Sequence, residues 1–232
     1  MKLKRHFKMP RNTPTQSPPK LSHFLCIPVV TPASRQQLQQ SLDAFRTSET
    51  TKSTSSSGTP STSIPEKAVR PLGTLHLTLG VLSLLSQERI DSAVALLHSL
   101  DLQQLLASSH QHPGVAGKSQ GGLESELGAA GDLKITLKGL TSMHDPSKTS
   151  VLYTSPVDSD LKLLNFCQRL KDVFTDADLL VRESRPLLLH ATIVNTVYVR
   201  RGKSVSKLTI DAREVLERYK ETEWVSVSNL FQ

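Results

Sequence analysis

LHLTL at residues 75–79 returns in similar form as LHATI at residues 189–193. Each copy places a histidine and a threonine two positions apart within an apolar run. Because strand side chains alternate between two faces, the histidine and threonine of each copy should share one face, and the apolar residues should face a core. The polar pairs are His76 with Thr78 and His190 with Thr192, and the apolar residues are Leu75, Leu77, Leu79, Leu189, Ala191 and Ile193.

The two copies predict a site for acid–base chemistry on a phosphate. An unperturbed imidazole has a pKa of about 6.5, so one histidine of a pair can be neutral and the other protonated around neutral pH. One ring would take a proton from the attacking water or hydroxyl, and the other would give one to the leaving oxygen. The threonine hydroxyls would donate to the non-bridging oxygens. A single His-x-Thr pair is more often structural, and the repetition favours a function.

Metal and P-loop sites have weaker support in the sequence. Two histidines can bind zinc, but no carboxylate or cysteine is at ligand spacing beside either one. Residues 117–119 (GKS) resemble the end of a phosphate-binding P-loop, yet His112 occupies the position where that loop requires glycine. We therefore predict no metal and no cofactor.

The chain of 232 residues is long enough for one large domain or two lobes. No apolar run approaches the roughly 18 residues that cross a bilayer, and the N-terminus lacks the apolar segment of a secretory signal. We therefore predict no membrane association. Cys26 and Cys167 lie in apolar stretches and are predicted to be buried, reduced thiols of an intracellular protein.

The net charge of +7 belongs almost entirely to the N-terminal part of the chain. The first 42 residues contain no acid, and residues 1–20 are predicted to be a basic, disordered leader. Such a leader can attract nucleic acid or act as a nuclear import signal, and the alternative is a merely solvated tail. We predict a nuclear location, with the cytoplasm as the alternative. The basic residues of the acid-free part are Lys2, Lys4, Arg5, Lys8, Arg11, Lys20 and Arg35.

Hydrophobic periodicity predicts an α+β fold in which short strands alternate with helices. One domain is expected over residues 21–232, with disordered Ser-, Gly- and Pro-rich insertions near 47–66 and 108–131. Predicted strands cover residues 24–29, 75–79, 133–140, a stretch from 151, a stretch after Pro186, and 224–227. Predicted helices begin at Thr31, Ser86, Asp158 and Asp211. The apolar stripe of the helix after Ser86 consists of Ile90, Val94, Leu97, Leu100 and Leu105. The inward-facing residues of the helix after Asp158 are Leu161, Leu164, Cys167 and Phe174.

At these residues the chain resembles the 2H phosphoesterases, the LigT-like or 2′-5′ RNA ligase-like superfamily, whose signature is a pair of His-x-Thr phrases. Within it the chain is similar to the A-kinase anchoring protein 7-like phosphoesterase domain, close to the branch of the activating signal cointegrator complex subunit 1. The supporting phrases are FLCIP at 24–28, HLTLG at 76–80, KGL at 138–140, MHDP at 143–146, VLY at 151–153 and HATIVNT at 190–196.

The resemblance implies a bilobal LigT-like fold, with two antiparallel sheets around a central cleft and helices outside. It implies His76 and His190 as the catalytic pair, Thr78 and Thr192 as phosphate-binding residues, and a metal-independent reaction. The expected ligand is RNA or a nucleotide phosphodiester, with a cyclic phosphate or a 2′-5′ linkage. The expected setting is a monomeric nuclear domain that works with coactivator-complex proteins in transcription regulation or DNA repair.

Two hypotheses of different classes follow. The first is a metal-independent phosphoesterase that uses both histidines. The second is a non-catalytic nucleotide- or RNA-binding module of a coactivator complex, which would bind a ligand saturably and release no product. Arg182, Arg185, Arg200 and Arg201 flank the second phrase, but exposed arginines are more often simply solvated, and we leave them out of the predicted site.

Overall fold

The computed structural model describes residues 19–50, 64–108, 133–199 and 208–227, and they form the predicted mixture of helices and strands. No helix in these ranges is long and apolar enough to cross a lipid bilayer. The strands are β1 (His23–Pro28), β2 (His76–Leu82), β3 (Ile135–Ser142), β4 (Val151–Val157), β5 (Ala191–Asn195) and β6 (Glu223–Val227). The helices are α1 (Arg35–Glu49), α2 (Gln87–Ser99), α3 (Leu102–Ser108), α4 (Lys162–Asp176) and α5 (Arg213–Arg218).

The strands form two antiparallel sheets, as predicted. One sheet pairs β1 with β2, and the other has the order β5-β4-β3-β6. The chain that leads into β2 joins the two sheets, because Val69 makes an antiparallel bridge with Val194 and the Arg70 N–H donates to the Ile193 carbonyl at 2.8 Å. β2 also packs against β5. These contacts place the two repeated phrases on neighbouring elements.

The alternation predicted for the two phrases is confirmed. The apolar residues of both phrases are buried, whereas the histidine and threonine of each are only half-buried. The second strand starts later than predicted: residues 181–190 have no regular structure beyond a bend, and His190 immediately precedes β5.

Helix α1 covers one end of the larger sheet. Its apolar face is fully buried, as predicted for Leu38, Leu42 and Phe45, and it packs on β6, where the Phe45 ring lies 5.5 Å from that of Trp224. The predicted start at Thr31 is one turn too early: regular helix begins at Arg35 after Ser34, and the Thr31 hydroxyl accepts from the Ser34 N–H at 3.3 Å in the turn that precedes it.

The predicted insertion near 47–66 is shorter at both ends. Helix α1 continues to Glu49, whose carboxylate is buried and accepts from Arg218 at 3.1 Å. Ile64 is buried on the other side. This ion pair and the packing of Ile64 supply order that a Ser- and Thr-rich composition does not predict. Residues 51–63, the leader residues 1–18 and residues 109–131 of the second predicted insertion lie outside the described residues.

The predicted apolar stripe after Ser86 is wrong in part. Ser86 does cap α2 by accepting from the Arg89 N–H, but Val94 and Leu97 are 48% and 44% exposed while Ala93 is buried. Residues 93–97 read AVALL, so periodicity alone fits two overlapping faces, and the small Ala93 side chain lies on the face that packs. The helix also ends at Ser99, and Leu105 belongs to α3.

Helix α4 carries a second correction. Asp158 caps it as predicted, since its carboxylate accepts from the Leu163 and Leu164 N–H groups at 3.0 and 2.7 Å. Leu161 does not face inward: it is 46% exposed and has a φ of 57°, because it lies in the turn that folds back toward Asp158. Cys167 is buried as predicted, and desolvation raises the pKa of its thiol to about 12. Cys26 is only half-buried.

Gly139 fixes an irregularity in β3 that both neighbouring strands share. Its φ of 74° lies in the left-handed region, and an added Cβ would be 2.9 Å from the Lys220 carbonyl oxygen. Its own carbonyl accepts from the Trp224 indole N–H at 2.8 Å. The register of β3 shifts next to this position against both β4 and β6. A side chain here would therefore disturb the centre of the larger sheet.

We predict that Gly139→Ala lowers the free energy of unfolding by about 1–3 kcal/mol, because it combines an unfavourable φ with a backbone clash. Urea denaturation followed by circular dichroism measures this change. Gly73→Ala is the matched control, since nothing lies within 4 Å of a Cβ at Gly73. Equal stability of the two variants would contradict the assignment of Gly139.

Candidate active site

Both histidines are held by the same local hydrogen bond. His76 Nδ1 lies 2.8 Å from the Thr74 carbonyl oxygen, and His190 Nδ1 lies 2.9 Å from the Leu188 carbonyl oxygen. A carbonyl oxygen only accepts, so each Nδ1 carries the hydrogen of this bond. The other ring nitrogen, Nε2, is then an acceptor when the ring is neutral and a donor when it is protonated. Each ring is thus prepared to act as a base or an acid through Nε2.

An aromatic ring fixes the plane of each imidazole. Phe24 of β1 stacks on His76 with ring centroids 4.8 Å apart and an interplanar angle of 20°. Tyr153 of β4 meets His190 edge-on at 5.2 Å and 68°. Sequence reasoning missed both contacts because they depend on the pairing register. Phe24 is an aromatic residue at an outward position of β1 and is 54% exposed. That position was the available sign in the sequence of its contact with His76.

The two threonines lie beside residues of the neighbouring strands. Thr78 is the antiparallel partner of Cys26 in β1, and Thr192 is the partner of Tyr153 in β4. Directly opposite residues of an antiparallel pair share a face of the sheet. Cys26 therefore shares a face with Thr78, and Tyr153, which also meets His190, shares a face with Thr192.

A cavity of about 530 Å³ joins the two repeated phrases. Thr78 of the first phrase and His190 of the second both line it, whereas His76 and Thr192 are not part of its wall. The structure therefore brings one polar residue of each phrase to a common space. The remaining wall consists of Leu79, Gly80, Val81, Met143, Lys171, Glu183, Arg185, Pro186, Leu187 and Leu188.

Two cations on this wall were not in the predicted site. Arg185 lines the cavity although sequence reasoning treated it as a solvated arginine. Lys171 is buried. It follows Cys167 by four residues and precedes Phe174 by three, which places it on the predicted inner face of α4. This spacing could have indicated from the sequence that Lys171 faces inward. Arg200 and Arg201 lie outside the described residues.

Comparison with known protein families identifies the chain. The model of the AKAP7 2′5′ RNA ligase-like domain family matches residues 21–229. The chain belongs to this family. The predicted resemblance to the 2H phosphoesterase superfamily is thereby confirmed, and the match covers both histidine phrases and every element described above.

Individual relatives are more distant. An uncharacterized protein of Schizosaccharomyces pombe is 32% identical over 98 residues, which cover 40% of this chain and 44% of that protein. The matched region is therefore less than half of that relative's length. Among solved structures, Escherichia coli LigT complexed with 3′-AMP is 16% identical with a TM-score of 0.44, covering 90% of this chain and 84% of LigT. A phosphoesterase structure is 17% identical with a TM-score of 0.41, covering 91% and 84%.

We predict that the neutral forms of His76 and His190 are both the Nδ1–H tautomer, since both Nδ1 atoms face carbonyl oxygens. Nitrogen-15 NMR of imidazole-labelled protein distinguishes the two tautomers by the chemical shifts of the ring nitrogens. Exposed His98 is the internal reference. A dominant Nε2–H tautomer at either site would contradict the described hydrogen bonds.

Proposed function

We propose that the protein is a metal-independent phosphoesterase that cleaves RNA ends or nucleotide phosphodiesters, with a cyclic phosphate or a 2′-5′ linkage as the scissile group. His76 and His190 are the proposed acid–base pair, and Thr78 and Thr192 the proposed phosphate-binding residues. The observation that carries the proposal is the cavity shared by Thr78 and His190, one residue from each phrase.

The local geometry of the histidines supports this role. A catalytic imidazole needs a fixed ring plane and a defined tautomer, so that one nitrogen faces the reacting atoms. The carbonyl acceptors of Thr74 and Leu188 supply the tautomer, and the rings of Phe24 and Tyr153 restrict the plane. The same arrangement occurs at both positions, which a purely structural histidine pair would not require.

In the proposed reaction, Nε2 of one neutral histidine accepts a proton from water as the water oxygen bonds to phosphorus. Nε2–H of the other histidine, which is protonated, donates its proton to the leaving ribose oxygen as the P–O bond breaks. The product is a phosphate monoester, and the two rings have exchanged protonation states. Exchange with solvent restores the starting states. No electron transfer is involved, and each proton has a named donor and acceptor.

The threonines would act on the charge of the phosphate. A hydroxyl that donates to a non-bridging oxygen stabilises negative charge that the transition state must carry. Thr78 is half-buried and lines the cavity, which makes its hydroxyl available to a bound phosphate. Thr192 is half-buried on the strand that follows His190. Two hydroxyls from two elements would hold the phosphorus between the two imidazoles.

The family and the composition support the substrate class and the setting. The family is described as 2′5′ RNA ligase-like, which favours RNA and 2′-5′ linkages as the first substrates to test. The nuclear location and the work with coactivator or repair proteins remain predictions from the resemblance and from the basic leader. Most of that leader lies outside the described residues.

The test of the proposed function is turnover in the presence of EDTA. Purified protein is incubated with a 2′,3′-cyclic nucleotide, a 2′-5′-linked dinucleotide and a short RNA with a 2′,3′-cyclic phosphate end. We expect a phosphate monoester product from at least one of them. Saturable binding without product across the panel would instead establish the non-catalytic binding module.

We predict that His76→Ala and His190→Ala each lower kcat/KM by about 10²–10⁴-fold, because each removes a positioned acid or base. Thermal unfolding of both variants checks that the fold is retained. The control is His98→Ala on α2, an exposed histidine that should leave activity unchanged. A double variant of His76 and His190 that retains wild-type activity would refute the mechanism.

A further inference from the structure

Lys171 is a buried cation on the wall of the site cavity. Its residue is 8% exposed, and it lines the same space as Thr78 and His190. Its ammonium lies 3.9 Å from a Glu183 carboxylate oxygen. That separation is longer than an N–H···O hydrogen bond of about 2.7–3.2 Å. Among the described residues, the Lys171 Nζ is not one of the buried polar atoms that lack a hydrogen-bond partner, so it reaches the cavity and its N–H groups can bind an anionic ligand there.

A second cavity continues from this wall. It has a volume of about 450 Å³ and shares five residues with the first cavity, among them Lys171, Glu183 and Arg185, but neither Thr78 nor His190 lines it. The shared residues therefore lie between the place of the predicted chemistry and a neighbouring space. The charged residues along the second cavity are three cations, Lys171, Arg182 and Arg185, and two carboxylates, Asp172 and Glu183.

We propose that Lys171 and Arg185 bind a second phosphate, next to the one that is cleaved. The inference rests on the proposed function for the identity of the cleaved phosphate. It narrows the substrate class to RNA oligonucleotides or ends that carry a further phosphate beside the scissile linkage. A guanidinium can donate two parallel hydrogen bonds to phosphate oxygens, and an ammonium supplies a compact positive charge.

The position of the two cations explains why they would serve a second phosphate. The scissile phosphate takes its hydrogen bonds from the threonines and histidines in the proposed mechanism. Lys171 and Arg185 also border the cavity that contains none of those residues. A mononucleotide whose one phosphate is bound at the threonines would leave both cations without a phosphate partner, whereas an oligonucleotide could place its next phosphate beside them.

Glu183 is the group that such a phosphate must displace. Its carboxylate is the anionic neighbour of Lys171, and its side chain is 36% exposed. An exposed side chain can turn into solvent at little cost, and the second phosphate would then replace it beside the ammonium. Removal of the Glu183 charge should therefore strengthen binding of the second phosphate, opposite to the effect of removing either cation.

The test compares two nucleotides that differ by one phosphate. Adenosine 2′-monophosphate and adenosine 2′,5′-bisphosphate are titrated into the full-length protein by isothermal calorimetry. We expect the bisphosphate to bind about tenfold more tightly, the gain expected from a charge-assisted hydrogen bond. Lys171→Met and Arg185→Gln should each make the affinities for the monophosphate and the bisphosphate similar. Glu183→Gln should increase the difference between these two affinities.

Lys134→Met is the matched control, because Lys134 is exposed and lines neither cavity. It removes one positive charge and should keep the wild-type preference. Arg185→Gln alters an exposed side chain, so it remains informative even if Lys171→Met unfolds. Equal affinities in the wild type, or an unchanged preference in both cation variants, would overturn the proposal.

Turnover measurements distinguish a failure of this inference from a failure of the proposed function. For a 2′-5′-linked diadenosine with and without a 5′-phosphate, the extra phosphate should lower KM in the wild type but not in Arg185→Gln, while kcat stays the same. A bisphosphate preference that depends on both cations, in a protein without turnover, would support the subsite and contradict the catalysis. Turnover without the preference would support the catalysis and refute the subsite.

Discussion

The backbone pairing between residues 69–70 and β5 is the interaction on which the site depends. The bridge of Val69 with Val194 and the hydrogen bond from Arg70 to Ile193 tie the chain before the first histidine phrase to the strand that carries the second. The two phrases are far apart in sequence and belong to different sheets. The Val181 N–H, which donates to the Val81 carbonyl at 2.9 Å, adds a second tie between β2 and the chain before the second phrase.

Much of the fold, and the partial exposure of the candidate site residues, could be predicted because the decisive features are local. Strand alternation predicted which residues of both phrases are buried, and the caps at Ser86 and Asp158 were recognised from residue types. The contacts that orient the rings of His76 and His190 could not be predicted, since a carbonyl acceptor and an aromatic neighbour depend on register and on tertiary packing. The inner face of α2 was missed because AVALL at residues 93–97 fits two faces equally.

The position of Lys171 in the fold indicates a function that its residue type alone does not. A lysine on the inner face of an amphipathic helix is unusual, and the structure places its ammonium at a cavity, 3.9 Å from a Glu183 carboxylate oxygen. An anionic ligand would match this charge, and the fold would then carry a group whose benefit appears on binding. Periodicity alone could have marked the position, but only the cavity shows what the charge faces.

The central claim is that the two histidine phrases form one site. The most direct test is a titration with adenosine 2′-monophosphate in which the imidazole NMR signals of His76 and His190 are followed together. We expect both sets of signals to change along one saturation curve with a stoichiometry of one ligand per chain. Signals that move with different affinities, or a response of only one histidine, would contradict a shared site.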